Sequence, residues 1–99
     1  MYYTVPVEKV DFTYRADYVR DRHGIEVEWA NEALADPDAL QIVPDPASKT
    51  GRSVRTIGYS PSARCLVTVI TVNEGQATYG VNGWKSNGTD TRRYQEELL

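Results

Sequence analysis

The chain has 99 residues, of which 40% are apolar and 25% charged, and its formal net charge is -3. These values exclude a disordered or collagen-like chain and a second core, and the net acidity argues mildly against a nucleic-acid-binding protein. The longest apolar run (residues 65–72) is too short to cross a bilayer, no secretory signal is visible and the single cysteine excludes an internal disulfide, so we expect a cytoplasmic protein.

The sequence patterns predict a short first strand, two helices, a run of strands and a last helix. This order indicates one α+β domain over residues 1–99, with helices packed on an antiparallel sheet of about four strands. At its N-terminus we expect an extended arm over residues 1–10, with an edge strand as the alternative, and a short strand over residues 11–14.

Two helices are predicted in the first half of the chain. Apolar residues three or four positions apart favour helices over residues 15–22 and 26–35. Gly24 fits a left-handed C-terminal cap of the first helix, and Pro37 ends the second.

The remaining elements are strands and one last helix. Alternating or β-branched segments predict strands over residues 39–43, 53–59, 65–72 and 77–82. Two Asn-Gly pairs indicate a mobile loop over residues 82–89. The last helix is predicted to start at Thr89 or Asp90, with Tyr94 and Leu98 facing inward.

The two halves of the chain differ in charge. Residues 1–50 carry five basic and ten acidic side chains, whereas residues 51–99 carry six basic and four acidic ones. This asymmetry indicates two faces with different partners, although chance clustering in a short chain explains it equally well.

The titratable residues argue for some chemistries and against others. One histidine and one cysteine, 42 positions apart, give no metal-ligand cluster, and no phosphate-binding loop is present. A metal-free ribonuclease needs a base for the ribose 2′-OH, cations for the phosphate and an acid for the leaving oxygen. Residues of these types are His23, Arg55, Arg64, Lys85, Arg92 and Arg93, with Tyr79, Trp84 and Tyr94 as rings on which bases can stack.

Each of these residues also has a purely structural interpretation. His23 can cap its own helix, because a cation near a helix C-terminus is favourable. Arg92 and Arg93 can pair with glutamates one turn later, and Arg55 can point to solvent from an alternating strand. Trp84 is either a cover over the core or an exposed platform. The residues alone therefore permit a ribonuclease without requiring one.

The order of several short segments resembles the BrnT-like toxin family. The segments that carry this resemblance are Arg22-His23-Gly24-Ile25, a helix with Trp29-Ala30 and Glu32-Ala33, Asp36-Pro37, Arg55-Thr56-Ile57-Gly58, Cys65-Leu66-Val67-Thr68-Val69 and the helix from Asp90 to Tyr94. The resemblance covers about residues 11–96 and rests on order and spacing. Where the family usually has Ser-Ala-Arg-x-Ala, this chain has Asn82-Gly83-Trp84-Lys85-Ser86.

The resemblance implies a fold, an activity and a partner. BrnT-like proteins are toxins of type II toxin–antitoxin systems with a RelE/ParE-type fold, and they cleave RNA without a metal or cofactor and arrest translation. The expected partners are RNA and a ribbon-helix-helix antitoxin, with DNA bound only through the antitoxin. The catalytic residues would be His23, Arg55, Lys85 and Tyr94, and the RNA-binding residues Arg64, Trp84, Arg92 and Arg93.

Two other functions remain open on the sequence alone. One is a non-catalytic interaction module that uses its acidic N-terminal face, in which His23 is buried or caps its helix and Arg55 is held in a salt bridge. The other is a small enzyme that uses the loop near Asn82. The ribonuclease, in contrast, requires His23, Arg55 and Lys85 to converge on one open surface.

Overall fold

The computed structural model describes residues 10–13 and 15–97 of the chain. The strands are β1 (Val10–Asp11), β2 (Leu40–Ile42), β3 (Ser53–Ser60), β4 (Cys65–Glu74) and β5 (Ala77–Lys85), and the helices are α1 (Ala16–His23), α2 (Val27–Ala35) and α3 (Gly88–Glu97). No described helix is both long and apolar enough to serve as a membrane span. Of the arm predicted over residues 1–10, only Val10 is among the described residues. Leu98, which was predicted to face inward, lies outside them.

The strands form one sheet in the order β1-β5-β4-β3-β2. β2 to β5 pair in antiparallel fashion, and β1 pairs with β5 in parallel through Val10–Asp11. The α+β class is therefore confirmed, but the predicted antiparallel sheet of about four strands is wrong: the sheet has five strands and is mixed. The fifth strand comes from the N-terminal segment: a short strand was expected over residues 11–14, and β1 forms at Val10–Asp11 by parallel pairing with the distant β5, which no local pattern indicates.

The helices cover both faces of the sheet. α1 and α2 pack on one face and bury the main apolar core, which consists of Phe12, Val19, Ile25, Ala30, Ala33, Val67 and Val69. The approach of α2 is so close that a side chain on Gly58 of β3 would meet the backbone of Ala33. α3 lies on the opposite face, where its Asp90 contacts Arg55 of β3 and Thr68 of β4.

A β-bulge determines which face of β5 carries Trp84. The pairing of β4 with β5 shifts between Ile70 and Thr71, so Val81 is an extra residue in β5. Because side chains alternate between faces, this extra residue reverses the orientation of the rest of the strand. Trp84 consequently faces the α3 side, and Gly83 lies under α1 and α2.

The segment predicted as a mobile loop over residues 82–89 is largely ordered secondary structure. β5 continues to Lys85 and α3 already starts at Gly88, so only Ser86 and Asn87 connect them. The side-chain oxygen of Asn87 accepts the backbone N–H of Asp90 at 2.9 Å, so the helix cap is Asn87 and not Thr89 or Asp90. The predicted cap at Gly24 is confirmed, since it adopts a φ of 67° and donates its N–H to Arg20.

Candidate functional site

Rings and cations form a continuous row from the start of α1 to β3. Starting from α1, the guanidinium carbon of Arg15 lies 4.1 Å from the centre of the Tyr18 ring. The Tyr18 ring meets His23 edge-on at 6.1 Å between ring centres, and His23 meets Trp84 at 5.9 Å. The guanidinium carbon of Arg55 also contacts Trp84 and lies 5.5 Å from the indole centre. We call Arg15, Tyr18, His23, Trp84 and Arg55 the cation–ring row.

Local structure explains how the row is assembled. His23 is the last residue of α1, where the chain turns at Gly24. The β-bulge brings Trp84 to the α3 side of β5, from which its ring reaches His23. The carbonyl of the bulged residue, Val81, accepts a hydrogen bond from Arg15 Nε at 3.1 Å and so ties the start of α1 to β5.

His23 is half-buried, and its ring contacts those of Tyr18 and Trp84. Over residues 10–13 and 15–97, neither imidazole nitrogen has a hydrogen-bond partner. An imidazole exchanges protons near neutral pH, and it needs a free nitrogen to do so. His23 is therefore placed to accept or donate a proton beside the Trp84 ring.

Arg55 is the buried end of the row. Its side chain is only 11% exposed, and its Nε donates to Asp45 at 2.7 Å while its Nη1 donates to both oxygens of Asp90 at 2.9 and 3.1 Å. Burial alone lowers the pKa of Arg55, but the hydrogen bonds to Asp90 and Asp45 outweigh it and raise that pKa overall. Arg55 therefore stays charged and is bound on two sides by carboxylates.

Asp90 connects Arg55 to the start of α3. Its side chain is fully buried, and it also accepts hydrogen bonds from Thr68 at 3.0 Å and from Arg93 at 3.1 Å. Arg93 thus pairs with the acid three residues before it, where the sequence suggested a glutamate four residues after it. With Asp45, the cluster holds two arginines and two aspartates and is electrically neutral.

The structure brings four of the eight predicted site residues together and separates the others. His23, Trp84, Arg55 and Arg93 lie in or beside the row. Lys85 follows Trp84 in β5 but faces the α2 side, where its Nζ lies 5.9 Å from the centre of the Trp29 ring. His23, Arg55 and Lys85 therefore do not converge on one open surface, because consecutive strand residues point to opposite faces.

Tyr94 belongs to a different cluster. Its hydroxyl donates to Asp36 at 2.8 Å, and the same carboxylate oxygen accepts the backbone N–H of Tyr59. Burial, aided by the hydrogen bond to Asp36, raises the pKa of Tyr94 to about 12. This phenol holds its proton firmly, and its contacts are those of a structural residue.

Arg64 and Arg92 are exposed, and neither makes an ion pair with another described residue. Arg64 lies in the turn between β3 and β4 and has a φ of 57°. Neither contacts the row, so their predicted role in RNA binding finds no local geometric support.

Two members of the row, Arg15 and Tyr18, were missed by the sequence analysis. Arg15 directly precedes α1, and Tyr18 and Arg22 follow it by three and seven positions, a spacing that brings all three to one side of the helix. This spacing is visible in the sequence, but the spacing of Ala16, Val19 and His23 favoured an interpretation of the helix by its core-facing side alone.

In the described residues no cluster of three or more histidine, cysteine or acidic side chains is arranged to hold a metal ion.

Comparison with known proteins adds no further assignment: no protein-family model matches the chain, and no curated protein matches it.

Proposed function

We propose that this domain is a toxin of a type II toxin–antitoxin system that cleaves RNA without a metal, with His23 as the proton-transferring residue. The observation that carries the proposal is the contact of His23 with Trp84 at 5.9 Å, in which the imidazole nitrogens are not engaged by any described residue. An imidazole without a described hydrogen-bond partner can serve as the base of such a reaction, and a neighbouring ring can stack on a base of the RNA.

The reaction is a transfer at phosphorus. His23 takes the proton of a ribose 2′-OH, and the 2′-oxygen forms a bond to the adjacent phosphorus while the bond from phosphorus to the 5′-oxygen breaks. The imidazolium or a water molecule returns a proton to the leaving 5′-oxygen, so the products carry a 2′,3′-cyclic phosphate and a 5′-hydroxyl. Arg55 is a positioning residue here. Its guanidinium contacts the Trp84 ring and is fixed by hydrogen bonds to the carboxylates of Asp45 and Asp90.

The partner and compartment follow from this activity. A toxin that acts on messenger RNA works in the cytoplasm, and we propose a ribbon-helix-helix antitoxin that covers the cation–ring row. Covering the row blocks access to His23 without any change in the buried cluster around Arg55. The RelE/ParE-type arrangement remains part of this proposal.

Cleavage of RNA by the purified chain in the presence of EDTA tests the proposal. We expect the wild type to produce cyclic-phosphate ends and His23→Asn to be about 10²-fold slower or worse, the usual loss for a general base. Lys85→Ala is the matched control, because it removes a cation that faces away from the row. No cleavage by folded wild type, or equal cleavage by His23→Asn, contradicts the proposal.

Growth after induction gives the corresponding test in bacteria. We expect the wild type to arrest growth and deplete messenger RNA, and His23→Asn to permit growth at equal levels of soluble protein. Arrest by both proteins would mean that toxicity does not depend on His23.

A second function, a non-catalytic interaction module, is favoured by one observation. Arg55 is buried and paired with Asp45 and Asp90, as that function requires, and is not free to bind a phosphate. The working surface would be the acidic side of α1 and α2, where Asp17 and Asp21 are largely exposed. A chain that binds a basic protein partner, and cleaves no RNA at any protein concentration, would establish this function.

A further inference from the structure

The exposed end of the cation–ring row has the chemistry of a surface for unstacked bases. Tyr18 is 39% exposed, one of the few large hydrophobic side chains in the described residues that are so open to solvent. Tyr18 and Trp84 both contact His23, at 6.1 and 5.9 Å between ring centres. Two rings that contact the same proton-transferring group can each hold one base, with the linking phosphate close to that group.

The charges around Tyr18 are arranged for an anionic ligand. Arg15 and Arg22 lie three positions before and four positions after Tyr18, so they share its side of α1. No described acidic side chain pairs with either of them, and Arg15 instead contacts the Tyr18 ring and a backbone carbonyl. These two guanidinium groups can therefore meet phosphates on both sides of the ring.

The acidic residues of α1 are paired with a different arginine. Asp17 and Asp21 both contact Arg20, at 3.0 and 3.3 Å, which offsets part of their charge. Among the described residues, Arg15 and Arg22 therefore keep their charge without an acidic partner. Cations beside exposed rings are the combination with which proteins bind single strands.

We propose that Tyr18 and Trp84 bind two neighbouring unpaired bases of single-stranded RNA, and that Arg15 and Arg22 contact the flanking phosphates. A duplex does not fit this surface, because its base faces are already stacked on each other. The inference rests on the proposed function for the choice of RNA as ligand and adds the substrate class, single-stranded RNA, and the residues that select it.

Binding of a short unpaired 2′-O-methyl RNA, followed by fluorescence anisotropy, tests this inference apart from cleavage, because the blocked 2′-oxygen cannot react. We expect Tyr18→Ala to raise the Kd about 5- to 150-fold, the effect of losing one base stack. Tyr59→Ala is the matched control, because Tyr59 is 44% exposed and lies outside the row. Trp84→Phe, which keeps a ring, is expected to weaken binding less than Tyr18→Ala.

The charge contribution is tested on the same helix. Arg22→Ala is expected to make the dependence of log Kd on log salt shallower by about 0.7, the value for one phosphate contact to a single strand. Arg20→Ala is the control, because Arg20 faces the aspartates. Both variants change exposed side chains and are expected to keep the wild-type melting temperature.

The outcomes separate the two proposals. Binding that Tyr18→Ala weakens and Tyr59→Ala does not supports the inference even if natural RNA is never cleaved. Binding unchanged by Tyr18→Ala, or equal for single strand and duplex, overturns it while leaving His23-dependent cleavage intact. No binding of RNA by the wild type also overturns it and leaves the row to a protein partner.

Discussion

The buried cluster around Asp90 predicts a large effect from a single substitution. Asp90→Ala removes the carboxylate that accepts two hydrogen bonds from Arg55, whose side chain is only 11% exposed. Breaking a buried pair by removing one partner costs about 3–5 kcal/mol, because the remaining charge is left without compensation. Arg55 keeps Asp45 at 2.7 Å, so we expect a loss near the lower end, about 3 kcal/mol.

Urea unfolding followed by circular dichroism measures this loss directly. For a domain of this size, about 3 kcal/mol corresponds to a fall in melting temperature of roughly 12–24 °C. Arg93→Ala is the matched control, because it removes another partner of the same carboxylate from a side chain that is 36% exposed. That variant is expected to lose less than about 1 kcal/mol, as exposed ion pairs do.

The result that refutes this reasoning is a loss below about 1 kcal/mol for Asp90→Ala, equal to that of Arg93→Ala. It would mean that water reaches Arg55 freely and that the guanidinium is available to a ligand. The expected result has a consequence for Arg55 itself. Arg55→Ala would leave Asp45 and Asp90 without this partner, so we expect this variant to lose stability as well as activity.

Two further predictions concern the packing of α2 and the titration of Tyr94. Gly58→Ala forces the new methyl group against the Ala33 backbone and should cost about 1–3 kcal/mol or more in urea unfolding, whereas Gly88→Ala, which meets no neighbouring atom, should be near neutral. A destabilisation equal in both variants would contradict the close packing of α2. Because the pKa of Tyr94 is raised to about 12 by burial and by Asp36, its stabilising contribution is complete below about pH 10, the ordinary tyrosine pKa, and lost as the pH rises towards 12. The stability difference between wild type and Tyr94→Phe should therefore be constant up to about pH 10 and shrink above it, and a difference independent of pH up to 12 would contradict the burial of this hydroxyl.

The elements with strong local patterns could be predicted from the sequence. α1 and α2 begin and end within a residue or two of their predicted bounds, because apolar spacing and the Gly24 cap are local signals. β4 is two residues longer than predicted, since Asn73 and Glu74 extend the hairpin ladder to Ala77. Their polar side chains are tolerated there because both are exposed.

The non-local features could not be predicted. The parallel pairing of β1 with β5 joins segments far apart in the chain, and nothing within Val10–Asp11 indicates it. The sequence does not indicate the β-bulge either. An extra residue in β5 can be recognised only from the pairing with its partner strand, and without the partner the segment is predicted as a longer regular strand. Without the bulge, the position of Trp84 could not be assigned to a face.

The same reason explains why the ion-pair partners of Arg55 were missed. Asp45 and Asp90 lie 10 and 35 positions away from it in sequence, so no helical or strand spacing connects them. Local spacing favoured a partner for Arg93 one turn later in α3. The buried carboxylate of Asp90, three positions earlier, accepts that arginine in the structure.

The row divides into an inner end that serves stability and an outer end that is open to a ligand. At the inner end Arg55 is fixed by carboxylates and holds Trp84, so substitutions there disturb folding and function together. At the outer end Tyr18 is 39% exposed on α1, and its removal leaves the core contacts of Val19 in place. A rigid inner end keeps the Trp84 ring against His23 before any ligand arrives, which lowers the entropy lost on binding. Variants of the outer end are therefore the ones that can separate a binding role of the row from its contribution to the fold.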